Sequence, residues 1–147
     1  MLQQKNFLIF VLLFLVNVSI LFSQENTYVI EGKIHFKGKG KVYIRLVNEN
    51  TFSQEDKEID RLILSPSISE LQSGQISFSL KNIKPGIYGI KCFLDKNNNG
   101  KLDKGVLGPT EPWGMSWKNK KPFGPPNFKD IEFNITSNIK NLLIELN

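Results

Sequence analysis

The sequence holds one cysteine and one histidine among its 147 residues. A single thiol excludes an intramolecular disulfide. One Cys and one His cannot build a His/Cys zinc cluster, which takes about four such ligands. A Ser-His-Asp or Cys-His arrangement has only His35 to run through, and His35 falls on the wet face of a strand with no obvious partner. Cys92 falls on an apolar face beside Ile90, where a lone thiol behaves as a small hydrophobe. The chain is equally short of any segregated basic face. Its formal charge of +5 is spread through mixed runs such as Gln54-Glu55-Asp56-Lys57-Glu58. Lys33, Lys37, Lys39 and Lys41 cluster, but at strand-exposed or turn positions. A nucleic-acid partner, which reads as a basic stripe, is not expected. Phosphate-binding glycine loops and metalloprotease motifs are absent too.

The main apolar run falls short of the ~20 residues of a membrane-spanning helix. It extends from Phe7 to Phe22, 16 residues, and is weakened by Asn17 and Ser19. Lys5 precedes it, and Ser23 with the polar Gln24-Glu25-Asn26 follows. That is the charged, apolar and small-residue order of a secretory signal peptide. Leu21 stands where a smaller residue is usual, which shifts cleavage by a residue or two; an uncleaved anchor is the competing reading. No Cys follows for lipid attachment. The expected organisation is a signal peptide over 1–23 and a single domain over 24–147. The destination is periplasmic or extracellular, with no membrane contact after cleavage. The 124 residues that remain suffice for one core and carry a mixed formal charge of +4.

What is present is strand pattern. Tyr28, Ile30, Ile34 and Phe36 share one face, and Glu31, Lys33, His35 and Lys37 the other. Gly38-Lys39-Gly40 makes a turn, after which Val42, Ile44 and Leu46 resume the apolar face with Tyr43 and Arg45 opposite. Together these predict a hairpin. A polar stretch from Asn48 to Gly74 is interrupted by Ile59 to Leu64, room for one more strand. Ile76, Phe78 and Leu80 alternate with Ser77 and Ser79. Lys84-Pro85-Gly86 is a turn signal, leading into Tyr88, Ile90, Cys92 and Leu94 with Gly89, Lys91 and Phe93 opposite. Ile131, Phe133 and Ile135, then Leu142, Ile144 and Leu146, complete the set. No sustained helical period occurs. The expected fold is all-β, an antiparallel β-sandwich of about seven strands, with a small barrel as the competing architecture.

The most specific chemistry lies in Asp95-Lys96-Asn97-Asn98-Asn99-Gly100-Lys101-Leu102-Asp103. Oxygen side chains fall at loop positions 1, 3, 5 and 9, Gly at 6 and an apolar residue at 8, the first part of a calcium-loop template. Asp95, Asn97, Asn99 and Asp103, with the main-chain carbonyl of Lys101, are the candidate ligands of a structural Ca²⁺. Leu102 is expected to pack the loop onto the core. Position 12 is Val106, so the bidentate Glu of an EF-hand is missing, and the flanks are not helices. Glu111 is the candidate that completes the shell. Asn-Gly also suits a plain hairpin turn, but a turn alone needs neither Asp95 nor Asp103. Two loop carboxylates beside Lys96, Lys101 and Lys104 predict weak binding, roughly 10⁻⁴–10⁻³ M.

Phe78 to Ile90 with its Lys84-Pro85-Gly86 turn, the Asp95–Asp103 loop, Leu107-Gly108 with Glu111 and Gly114, and Phe123-Gly124-Pro125-Pro126-Asn127-Phe128 together resemble DUF family 2141, an uncharacterised exported bacterial family. The resemblance is most specific from Phe78 to Phe133. It implies a transthyretin-like or immunoglobulin-like sandwich in the periplasm or outside the cell, and no established activity. The chain departs from the family in having Leu94 where a His usually precedes the loop Asp, and Gly114-Met115-Ser116-Trp117-Lys118 where the family has small residues. The first departure lowers any catalytic reading.

Gly105 to Pro126 is rich in Gly, Pro and aromatics. Trp113, Trp117 and Phe123 are candidate ligand-binding rings, since Trp is favoured at binding hot spots; alternatively the segment folds back and caps one end of the domain. The reading that follows is an exported, calcium-stabilised binding or structural module of the cell envelope, without catalytic residues, whose partner is a protein or polysaccharide. The alternatives are a glycan-binding module using Trp113 and Trp117, and a hydrolase or sugar-processing enzyme using Asp95, Asp103 and Glu111 as paired carboxylates.

Overall fold

The period-two apolar pattern becomes, in a computed structural model describing residues 25–118 and 124–147, a mostly β architecture of open sheets. The strands are β1 (Tyr28–His35), β2 (Lys41–Val47), β3 (Asp60–Leu64), β4 (Gln75–Ile83), β5 (Gly86–Asp95), β6 (Lys104–Gly105), β7 (Gly108–Pro109), β8 (Trp113–Met115), β9 (Phe133–Ile135) and β10 (Ile139–Glu145). Seven of these correspond to the six alternating segments and the Ile59–Leu64 run. The three extra ones, β6 to β8, have two or three residues each and lie in the Gly/Pro-rich segment, which shows no alternation. The signal-peptide expectation for residues 1–23 and the candidate Phe123 lie outside the described residues. Among the described residues, no helix is long and apolar enough to cross a membrane.

One sheet runs β10-β1-β4; the other runs β3-β2-β5-β8, with β9 paired to the start of β5. Neither closes on itself, which removes the barrel alternative for the described residues. The inward faces share one cluster. Ile30 and Ile34 of β1, Phe78 and Leu80 of β4 and Ile144 of β10 meet Val42, Ile44 and Leu46 of β2 and Ile90 and Leu94 of β5, all buried. Cys92 belongs to this cluster; burial pushes its thiol pKa far up, so it is an inert hydrophobe.

Two expectations are corrected. The Gly38-Lys39-Gly40 turn does not close a hairpin: β1 pairs with β10 and β4, whereas β2 pairs with β3 and β5. Alternation tells which face of a strand is buried, not which strand lies beside it, and the Gly38–Gly40 and Lys84–Gly86 turns both carry the chain from one sheet to the other. The antiparallel expectation also fails for one pair, because β1 and β10 run parallel. These strands are joined through the whole domain, so no turn dictates their direction.

Two short helices occupy the polar stretch, α1 (Glu49–Phe52) and α2 (Ile68–Ser73). Each is closed by a capping box, Asn48 with Thr51 and Ser67 with Glu70, and α2 ends on Gly74 in the left-handed region. Ile131, expected in a strand, instead follows a 3₁₀ turn (Phe128–Asp130) and joins Val47, Met115 and Phe128 in a second, smaller cluster.

Candidate functional site

The last residue of β5 is Asp95, fully buried. Its two carboxylate oxygens accept the backbone N–H groups of Asn99 (3.2 Å) and Gly100 (2.9 Å). Asn97 Oδ1 accepts from Asn99 N (3.1 Å), and Asn99 Oδ1 from Lys101 N (2.8 Å). These local turns use the short Asn side chain in place of a backbone partner. Asn98 (φ 60°) and Gly100 (φ 76°) take left-handed conformations, which Asn and Gly tolerate best. The amides of Asn97 and Asn99 then donate to the two oxygens of Asp103, at 2.6 and 2.8 Å. All four expected side chains are thus brought into one hydrogen-bonded loop.

Glu111 joins them from sixteen residues beyond Asp95. It is buried, and its two oxygens accept Lys96 N (2.7 Å) and Asp103 N (3.2 Å), one N–H from each arm of the loop. The chain reaches it through the β6–β7 hairpin, and Leu94 N donates to Pro112 O (2.8 Å) to seat the return. Lys101 takes part through its backbone N–H, and its side chain is exposed. Leu102 is half-buried but belongs to neither core cluster. It lines a surface cleft, because the loop is held down by hydrogen bonds at its base rather than by an apolar anchor. Glu111→Gln keeps the shape and removes one acceptor and the charge. It should cost about 2 kcal/mol, read as a lowered urea midpoint at unchanged slope.

Oxygens and amides are the hard donor set that suits calcium. Among the described residues, no three Asp, Glu, His or Cys side chains stand together as a ready metal cluster. A cation here would therefore draw on amide and main-chain oxygens as well as carboxylates. The Asn97 and Asn99 amides present the positive ends of two dipoles to Asp103, the role a cation would take over.

Trp113 and Trp117 meet edge to face (centroids 6.1 Å apart, 63°) and pack against the second core cluster. Both are half-buried, so they cover core at least in part. Backbone bonds in both directions tie Trp113 to Asn147 at the chain end. Trp113 also lines the cleft, about 700 Å³, between the outer face of β2 and β5 and the Gly100–Lys104 segment.

The alternation pattern places Tyr43, Arg45, Lys91 and Phe93 only on outward faces. Register makes them a site: Tyr43 lies opposite Phe93, and Arg45 opposite Lys91. The Tyr43 and Phe93 rings stack at 4.8 Å and 15°. Arg45 Nε pairs with Glu58 (2.9 Å), Arg61 pairs with the other Glu58 oxygen (2.5 Å), and Lys104 pairs with Glu55. The Lys104 ammonium holds the Glu55 carboxyl below its usual range. His35, expected to be without a partner, bridges its sheet instead, Nδ1 to Glu145 (2.9 Å) and Nε2 to Gln75 (3.0 Å). Its neighbours β10 and β4 both place a polar side chain opposite it.

Over residues 34–142 the chain matches a family described as an uncharacterized protein conserved in bacteria, DUF2141. No curated protein and no solved structure matches it.

Proposed function

This chain belongs to the bacterial family DUF2141, and from that premise we propose that it is an exported β-sandwich module of the cell envelope, stabilised by calcium and without catalysis. The sandwich reading is supported by the single cluster that the two sheets bury between them. Export is supported by the pattern of residues 1–23. The observation that carries the calcium reading is the convergence of Asp95, Asn97, Asn99 and Asp103 on one loop whose two arms are clipped by buried Glu111. A turn needs only the Asn-Gly corner; it needs neither a buried Asp95 at its base nor a buried Glu111 across its two arms.

The role of the ion is structural: it rigidifies the loop that forms one wall of the cleft and launches the β6–β7 hairpin. The paired-carboxylate hydrolase reading has less support. Asp95, Asp103 and Glu111 are all engaged by backbone or amide N–H groups of the loop itself. Thermal melting in about 5 mM Ca²⁺ against EDTA tests the reading. With Kd near ~0.5 mM, linkage stabilises by about 1.4 kcal/mol, several degrees in Tm. Identical melting curves, with no heat on calorimetric titration, overturn it.

One observation favours a second reading within the same class, a glycan-binding module: Trp113 lines the cleft as well as the core. Phe123 belongs to that reading by sequence alone. Trp113→Ala should then abolish retention on the recognised polysaccharide while the chain stays folded.

A further inference from the structure

One wall of the cleft carries a half-buried cation that, among the described residues, has no carboxylate within ion-pair distance. Lys91 stands on β5 with its ammonium donating to the Phe52 carbonyl oxygen (3.1 Å) and lying 5.1 Å from the Phe52 ring centroid. Its neighbours Arg45, Arg61 and Lys104 each pair with a carboxylate; among the described residues Lys91 has none in direct contact, and the one whose charge reaches it, Glu55, is already paired with Lys104. Withdrawing an ammonium from water without a compensating charge is unfavourable. Accordingly, burial first, then Arg45 and Lys104, hold the Lys91 pKa below the usual lysine value, and Glu55 opposes them only in part. Beside it runs an apolar stretch of the cleft, Tyr43 stacked on Phe93 and continued by Trp113 and Met115, while Glu55, Asp56 and Asp103 line the cleft elsewhere. A neutral ligand would fill this space and add nothing to the partial compensation that Glu55 gives Lys91.

We propose that the cleft binds a carboxylate-bearing ligand with a flat ring face, its carboxylate on Lys91 and its ring against Tyr43 and Trp113. This rests on the binding-module reading rather than the purely structural one, and it names the ligand chemistry. An acidic sugar and an aromatic acid share that chemistry. The wall formed by Gly100–Lys104 is closed by the loop's own hydrogen bonds, so binding does not require calcium.

The test is a calorimetric titration of the full chain in EDTA with four probes. Two are acids, an oligogalacturonate and indole-3-acetate; two are their uncharged counterparts, the methyl-esterified oligosaccharide and indole-3-acetamide. At least one acid should bind, and its neutral counterpart should bind at least ~10-fold more weakly. Lys91→Met, which keeps the apolar stem, should lose at least ~10-fold for that acid, and Lys91→Arg should stay within about threefold. Whichever acid binds identifies the source. Failure of both acids, equal affinity for acid and neutral forms, or undiminished binding by Lys91→Met overturns the proposal. Equal affinity that still depends on Trp113 leaves the glycan reading standing while this one falls. If Lys91→Met does not fold, the acid-against-neutral contrast in the unmodified chain decides.

Discussion

Asp95→Ala should destabilise the protein by about 3 kcal/mol and abolish any response to calcium. The carboxylate is fully buried and is the acceptor for Asn99 N and Gly100 N. Alanine leaves Gly100 N without its acceptor and Asn99 N with Asn97 Oδ1 alone, and a lost acceptor of this kind costs about 1–3 kcal/mol. The loss should also propagate. Without the Asp95 anchor the Asn97 and Asn99 turns lose their base, and Asp103 is left for Glu111 to hold alone. For a domain of this size the shift in Tm should be roughly 10 °C. Asp95→Asn keeps one acceptor in place, so it should cost less, about 1–2 kcal/mol, yet still remove the calcium response. The hydrogen-bond cost arises with or without an ion, so the readings separate on the calcium response, which the unmodified chain should show and both variants should lack.

Gly114→Ala should be as damaging for a different reason. Gly114 lies on β8 opposite Cys92 of β5, and a β-carbon there would fall onto the carbonyl oxygen of Glu145, with the Glu145 carbonyl carbon and Leu146 close behind. The obstacle is backbone, which cannot rotate away as a side chain can. Relief requires moving β8 off the end of β10, which breaks the reciprocal Trp113–Asn147 bonds and shifts Trp113 at the rim of the cleft. A loss of about 3 kcal/mol or more is expected. It should appear as a lowered urea midpoint, with faster hydrogen exchange at Trp113 N and Asn147 N than at β1 and β4 amides. Unchanged exchange at those two sites would mean that this close approach is not what closes the corner.

Much of the strand layout is legible in the amino-acid sequence alone. Period-two alternation, with the Ile59–Leu64 run, points to seven of the strands, and Ile30, Ile44, Phe78, Ile90 and Ile144 are buried where it places them. The loop residues are legible because hard-ion spacing is a local property: Asp95, Asn97, Asn99 and Asp103 do meet. Glu111 is reachable as a carboxylate in search of a partner.

Pairing is not legible. The turns at Gly38–Gly40 and Lys84–Gly86 look the same in sequence whether the next strand folds back into its own sheet or crosses to the other. The parallel β1–β10 pair has no sequence signal at all, since its partners are joined only through the rest of the chain. For the same reason the Lys91 cleft is invisible: Arg45, Lys91, Tyr43 and Phe93 carry the right phase, but only register sets them side by side. The two short helices have a readable sign, the Ser67-to-Glu70 capping box, masked by a stretch with no apolar period. The Trp residues point to a surface function, and packing on the second core cluster assigns them a structural share as well.

Whether calcium holds the Asp95–Asp103 loop is decided by a crystal structure determined in millimolar calcium. The expected result is an ion within about 2.3–2.6 Å of oxygens from Asp95, Asn97, Asn99 and Asp103, with the two amides turned so that they no longer donate to Asp103. A loop that keeps the Asn97–Asp103 and Asn99–Asp103 hydrogen bonds, with no ion among those side chains, would contradict it.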